Sequence, residues 1–236
     1  MTRPRGWYRL FMARPRTYLA VLVALAAAAV YAAMWVGYRQ DWHWLHRFDW
    51  SLLNAAHDVG VKHPEWVRFW VGVSFALGPV PLRLLGMVAT VAALVIRNVR
   101  AALVLLACAP LSGLVTVAAK ALANRPRPST MLVPESATSF PSGHALEATA
   151  ALLAMVCFVL PMLNRLMARV LVAVTGLSLL AVGIARVALN VHYPSDVLAG
   201  WSLGYLYFLL CLLIFRPAVR PTALNPCGGG HLITAQ

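Results

Sequence analysis

The chain has 236 residues, of which 61% are hydrophobic and 11% charged, and its mean hydropathy is +0.74. A soluble domain carries roughly 25% charged residues, so the polar surface here is too small to cover a water-soluble globule. The composition fits a polytopic helical membrane protein built as one bundle. The net charge of +13 sits in short segments between apolar runs, which is the pattern of membrane topology and argues against nucleic acid as a partner.

In chain order, residues 1–17 carry Arg3, Arg5, Arg9, Arg14 and Arg16, and an apolar run from Tyr18 to Tyr38 follows. A cleavable signal has an apolar region of only about 7–15 residues. This run is long enough to span, so it is expected to be an uncleaved first helix. Residues 39–78 form a long polar and aromatic connection with Trp42, Trp44, Trp50, Trp66 and Trp70, residues that favour the membrane–water boundary. Within it, the stretch 64–77 is expected as an interfacial helix between the first and second spans. Further spans are expected over 82–96 (extended back toward Ala76), 101–119, 144–161, 168–189 and 196–215. The fold class is therefore all-α, with six transmembrane helices forming one domain over 1–216. The Pro- and Gly-rich tail, 217–236, reads as disordered and cytoplasmic. Cys108, Cys157, Cys211 and Cys227 have no spacing that suggests a disulfide framework or a zinc site.

Lys and Arg set the expected orientation. With both termini inside, the inner segments hold Arg3, Arg5, Arg9, Arg14, Arg16, Arg97, Arg100, Arg165, Arg169, Arg216 and Arg220. All seven acids, Asp41, Asp49, Asp58, Glu65, Glu135, Glu147 and Asp196, then fall at the outer side or the outer ends of spans. The expected setting is the inner (plasma) membrane, crossed several times, with the polar face toward the exterior, or toward the periplasm in a bacterium.

Three blocks with chemical potential lie at that outer end. Lys120 closes the third span and Arg127-Pro128 follows; an ammonium and a planar guanidinium suit phosphate oxygens. Pro141-Ser142-Gly143-His144 opens the fourth span, where unpaired N–H groups and the helix dipole favour anions. Arg186 ends the fifth span, with His192 and Asp196 beside the start of the sixth. Their i, i+4 spacing shares a face if the helix has begun, and a carboxylate on one ring nitrogen frees the other as nucleophile or base. Together the blocks describe an anion site able to move protons. No metal-ligand spacing is present, so cations are expected to stabilise charge and no cofactor is expected.

These blocks resemble the three signature motifs of the type 2 phosphatidic acid phosphatase (PAP2) superfamily, K-x6-R-P, P-S-G-H and S-R-x5-H-x3-D. The one departure is Ala185, where the pattern has Ser. The resemblance implies a lipid phosphatase acting through a phosphohistidine. His192 would attack phosphorus, Asp196 would orient it, and His144 would protonate the leaving oxygen and then activate water. Lys120, Arg127, Ser142, Gly143 and Arg186 would hold the phosphoryl oxygens. Substrates of this class include undecaprenyl diphosphate, slightly favoured here, phosphatidic acid and phosphatidylglycerol phosphate. The alternatives are transfer of the phosphoryl group to another lipid such as lipid A, and transport, which the absence of charge from the inner halves of the spans disfavours. Arg125 reads mainly as solvated, Asp41–Asp49 as interface anchoring, and Glu147 as either tuning His144 or lining the cavity.

Overall fold

The computed structural model describes residues 14–215, with side chains from residue 18 onward. Among them are nine α-helices and no strand. They are α1 (Arg14–Arg39), α2 (His43–Lys62), α3 (Pro64–Ala76), α4 (Pro79–Val95), α5 (Val99–Cys108), α6 (Ser112–Ala123), α7 (Gly143–Val159), α8 (Arg165–Ala188) and α9 (Pro194–Ile214). Six stretches are long and apolar enough to cross a membrane: Tyr18–Arg39, Pro64–Val95, Val99–Ala123, Gly143–Met162, Arg165–Ala188 and Pro194–Ile214. The expected tail, and five of the inner arginines (Arg3, Arg5, Arg9, Arg216 and Arg220), lie outside the described residues.

Two of the six stretches are broken, each at a proline. Pro79 disfavours helical geometry at the residue before it, and Gly78 is accordingly extended, with φ −81° and ψ 179°. The helix expected over 64–77 is α3, which adjoins α4 within the second apolar stretch and packs along α8. The third stretch breaks at Pro110, which has no N–H to donate and separates α5 from α6. Regular starts have ordinary causes. The Asn98 side chain accepts from the Ala101 N–H at 3.2 Å, and that of Asn164 from the Met167 N–H at 2.9 Å.

The connection after α1 is also more regular than its composition suggests. It forms α2, whose buried face carries Leu45, Asp49, Leu53 and Gly60 and whose exposed face carries Trp44, Phe48 and Leu52.

Helix α7 is the axis of the bundle and contacts α4, α5, α6, α8 and α9. Its closest neighbour is α9, because α9 presents Gly200 and Gly204 to it. A Cβ at Gly200 would lie 2.6 Å from the Ser142 carbonyl oxygen, and one at Gly204 would lie 2.8 Å from Thr149 Cβ. Small residues four apart let two helix backbones touch, which matters where lipid leaves no hydrophobic drive between helices. That contact sets the Pro141–His144 turn directly against the start of α9.

Candidate active site

The α6–α7 loop, the head of α7, the end of α8 and the head of α9 meet at one end of the bundle. Asn124 stops α6 in the left-handed region (φ 47°), and its N–H returns to the Lys120 carbonyl at 2.9 Å. Asn tolerates that conformation, so Lys120 is left in the last turn. Its ammonium bonds the Thr138 carbonyl, folding the loop back over α6. Phe140, fully buried, then anchors the loop to α1 through Tyr31, Trp35 and Tyr38, with ring centroids 5.6–6.3 Å apart. The next residues are therefore delivered to a fixed place. The Ser142 N–H bonds the Asp196 carbonyl at 2.9 Å, and α7 begins at Gly143. A Cβ at Gly143 would lie 2.7 Å from Thr116 Cγ2 and 3.8 Å from Lys120 Cε, so the lysine stem runs past the head of α7. His144 faces the break in the second stretch, with Nε2 3.3 Å from where a Gly78 Cβ would stand.

The other half of the site comes from the α8–α9 turn. Asn190 (φ 54°) reverses the chain, and the Val191 and His192 N–H groups both return to the Arg186 carbonyl, at 3.2 and 3.3 Å. His192 lies ahead of α9, so helical i, i+4 spacing is not what pairs it with Asp196. Asp196 is at the third position of α9 and caps the helix by accepting the Tyr193 N–H at 3.0 Å. That turn brings Asp196 Oδ2 to 3.4 Å from His192 Nδ1. This is long for a hydrogen bond but close enough for a carboxylate to orient an imidazole and favour the Nδ1–H tautomer. The opposite ring atom, Nε2, lies 3.3 Å from Arg127 Nη1. Burial, then the charges of Arg186, Lys120 and Arg127, hold the His192 pKa well below its ordinary value. Both effects favour the neutral imidazole, and with the proton on Nδ1 the Nε2 atom faces a cationic corner.

The cations of that corner are held apart by acceptors. Glu135 bridges two of them, accepting from Arg186 Nη2 at 2.7 Å and lying 3.6 Å from Arg127 Nη2. Arg127 also donates to the Ala137 and Val191 carbonyls at 2.5 and 2.6 Å, and Arg186 Nη1 donates to Ser74 on α3 at 2.9 Å. Burial raises the Glu135 pKa, but the Arg186 hydrogen bond and the charges of Arg186, Arg127 and Lys120 outweigh it and leave the carboxyl below its ordinary value. Three buried polar atoms here, Ser142 Oγ, Arg186 Nε and His192 Nδ1, make no hydrogen bond within the described residues. Ser142 and Arg186 are positions where phosphate oxygens are expected.

The amino-acid sequence matches the PAP2 superfamily over residues 101–220, half of the chain. The chain belongs to the PAP2 superfamily. It is 43% identical over 82 residues to phosphatidylglycerophosphatase B of Bacillus subtilis (strain 168), a match covering 34% of this chain and 40% of that relative's length. The fold is similar to the crystal structure of a transmembrane PAP2-type phosphatidylglycerolphosphate phosphatase from Bacillus subtilis. The TM-score is 0.68 and the identity 28%, over 84% of this chain and 96% of that one.

All eight residues expected from the motifs lie at this end of the bundle. Others were not foreseen. Arg125 is not a solvated side chain: it is buried, bonded to Asp196 and Asp49, and its guanidinium lies 3.9 Å from the centroid of the Tyr193 ring. Asp49 comes from the connection read as interface anchoring. Glu147, one turn after His144, bonds Arg83 of α4 at 2.6 Å and Thr116 of α6 at 3.2 Å, tying three helices together beneath the site. One signal for Asp49 was present: an acid flanked by Leu45 and Leu53, each four residues away, sits in the apolar seam of an amphipathic helix.

Proposed function

We propose that this protein is an integral-membrane lipid phosphatase that hydrolyses a phosphomonoester, with phosphatidylglycerol phosphate as the favoured substrate. The observation carrying this reading is a buried His192 set between a carboxylate and a cluster of cations. Asp196 backs its Nδ1, and its Nε2 points at Arg127 beside the head of α7. The substrate preference rests on the two Bacillus subtilis matches, each described as acting on that lipid. It replaces the slight preference for undecaprenyl diphosphate.

The steps follow from roles at named atoms. His192 Nε2 attacks phosphorus as the bond to the lipid oxygen breaks, and His144 gives that oxygen a proton. His144 then takes a proton from water, whose oxygen attacks the phosphohistidine. The N–P bond breaks and inorganic phosphate leaves. Lys120, Arg127, Arg186, Ser142 Oγ and the first N–H groups of α7 stabilise the charge gathering on the equatorial oxygens. The reading needs no metal. The arginines at the opposite end, Arg97, Arg100, Arg165 and Arg169, favour a cytoplasmic position for that end and an active site facing the periplasm or exterior.

The test is phosphate release in detergent with EDTA from phosphatidylglycerol phosphate, phosphatidic acid and undecaprenyl diphosphate, for wild type and His192→Ala. Fastest EDTA-resistant release from phosphatidylglycerol phosphate, lost in the variant, is expected. Release that requires an added acceptor lipid would instead make the protein a phosphotransferase.

A further inference from the structure

The nucleophile's orienting acid does not stand alone. Asp49, on α2, is 1% exposed although α2 otherwise buries apolar residues at that face. Its Oδ1 accepts the Ser195 N–H at 2.9 Å, and its Oδ2 accepts the Ser195 hydroxyl at 2.6 Å and Arg125 Nη2 at 2.9 Å. The other end of the same guanidinium, Nη1, donates to Asp196 Oδ1 at 2.6 Å and to Ser195 Oγ at 2.8 Å. The Arg125 plane is held between the rings of Tyr38 and Tyr193, 4.8 and 3.9 Å from their centroids. Asp196 Oδ2 meanwhile accepts Ser139 Oγ and the Tyr193 N–H and faces His192 Nδ1.

We propose that Asp49 is a positioning residue for the reaction, acting through Arg125 and Asp196 on His192. This rests on the phosphohistidine reading. A buried carboxylate costs several kcal/mol unless it is paired, so Asp49 is not a neutral choice for a packing position between Leu45 and Leu53. A single arginine facing Asp196 could swing and take one Asp196 oxygen with it. Clamped by Asp49 at one end and two rings at its faces, it fixes one oxygen of Asp196 and leaves the other for the imidazole. Asp49 also couples α2 to the chemistry, since its carboxylate bonds Arg125 and the Ser195 N–H and hydroxyl at the head of α9. The catalytic geometry is complete only while α2 is seated on the bundle.

The experiment compares kcat, KM and the inhibition constant of inorganic phosphate for wild type, Asp49→Asn, Arg125→Gln and the double variant, with melting temperatures in detergent. Asp49→Asn is expected to lower kcat by about 10–100-fold, the usual scale for a partner that orients a functional group, while leaving phosphate inhibition within about threefold because the phosphate cradle is untouched. The double variant should be no slower than Arg125→Gln alone, since both losses run through one contact. A kcat within about threefold of wild type for Asp49→Asn, or losses that multiply in the double variant, would overturn the inference. Should Asp49→Asn not fold, Ser195→Ala replaces it: a severalfold lower kcat with unchanged phosphate inhibition supports the chain, and an unchanged kcat overturns it. His192→Ala run alongside separates the two readings. If it is inactive while Asp49→Asn is normal, only this inference fails; if it retains turnover, the nucleophile assignment fails with it.

Discussion

The two ends of the bundle solve different problems with the same helices. At the site end, Asp49, Arg125, Glu147, Arg186, His192 and Asp196 are all buried. At the other end the core is apolar and small: Ala93, Ala101, Val104, Leu105, Cys108, Ala154 and Phe208 pack together, beside a cavity of about 130 Å³ lined largely by apolar side chains. The charges of that end, Arg97, Arg100, Arg165 and Arg169, are all exposed. Buried charge is tolerated only where every charge has a partner, and the site end meets that condition with Asp49–Arg125–Asp196, Glu135–Arg186 and Arg83–Glu147. A bundle needing only to span a bilayer would have two ends like the second. The cost accepted at the first end coincides with the candidate active site.

Substitutions can sharpen this contrast. The largest effect is expected for His192→Ala: turnover should fall on the order of 10⁴-fold or more, as for other removed nucleophiles, with little change in melting temperature. Full retention of activity would place the chemistry elsewhere. Arg186→Gln should lower kcat/KM by about 10²–10³-fold, the scale of losing one charge-stabilising donor.

The pH profile adds a graded test. The His192 pKa is depressed, and in the proposed mechanism the neutral form attacks, so activity should be present above that pKa and lost as pH falls through it. The acid limb of kcat/KM that this group sets should therefore lie below the ordinary histidine value of about 6.5. Arg186 is the second cause of the depression after burial, so Arg186→Gln should move the limb upward; a limb that stays in place would break the assignment.

Gly200→Ala should cost about 1–3 kcal/mol of stability, because its methyl group would stand 2.6 Å from the Ser142 carbonyl and α7 and α9 must separate. Thermal unfolding in detergent measures this, and a fall in kcat should accompany it because the same contact seats Ser142. The smallest effect is expected at the far end. Arg165→Gln should leave turnover within about twofold, as is usual for exposed substitutions remote from a site.

Chain-local signals were enough for much of this protein. Composition and run length determined an all-helical, six-span bundle, because a segment crossing lipid must satisfy its own backbone hydrogen bonds and be apolar along its length. Alternation of spans put Lys120, Arg127, Ser142, Gly143, His144, Arg186, His192 and Asp196 at one end, because odd and even helix termini alternate sides. What depended on separation in space was not legible. The break at Gly78, which faces His144, is announced by Pro79 and Pro81, but nothing nearby says that 64–77 continues the second apolar stretch rather than lying apart from it. Glu135 and Asp49 are isolated acids in polar connections, and their roles exist only because Arg186, 51 residues from Glu135, and Arg125, 76 residues from Asp49, arrive beside them. Even the His192–Asp196 pair, expected from helical spacing, is brought together by a helix cap and not by a helix face. The sequence by itself set which groups would share an end of the membrane. Tertiary structure alone decided which atoms touch, since a hydrogen bond depends on distances of a few tenths of an ångström that only the packed helices and the anchored loop establish.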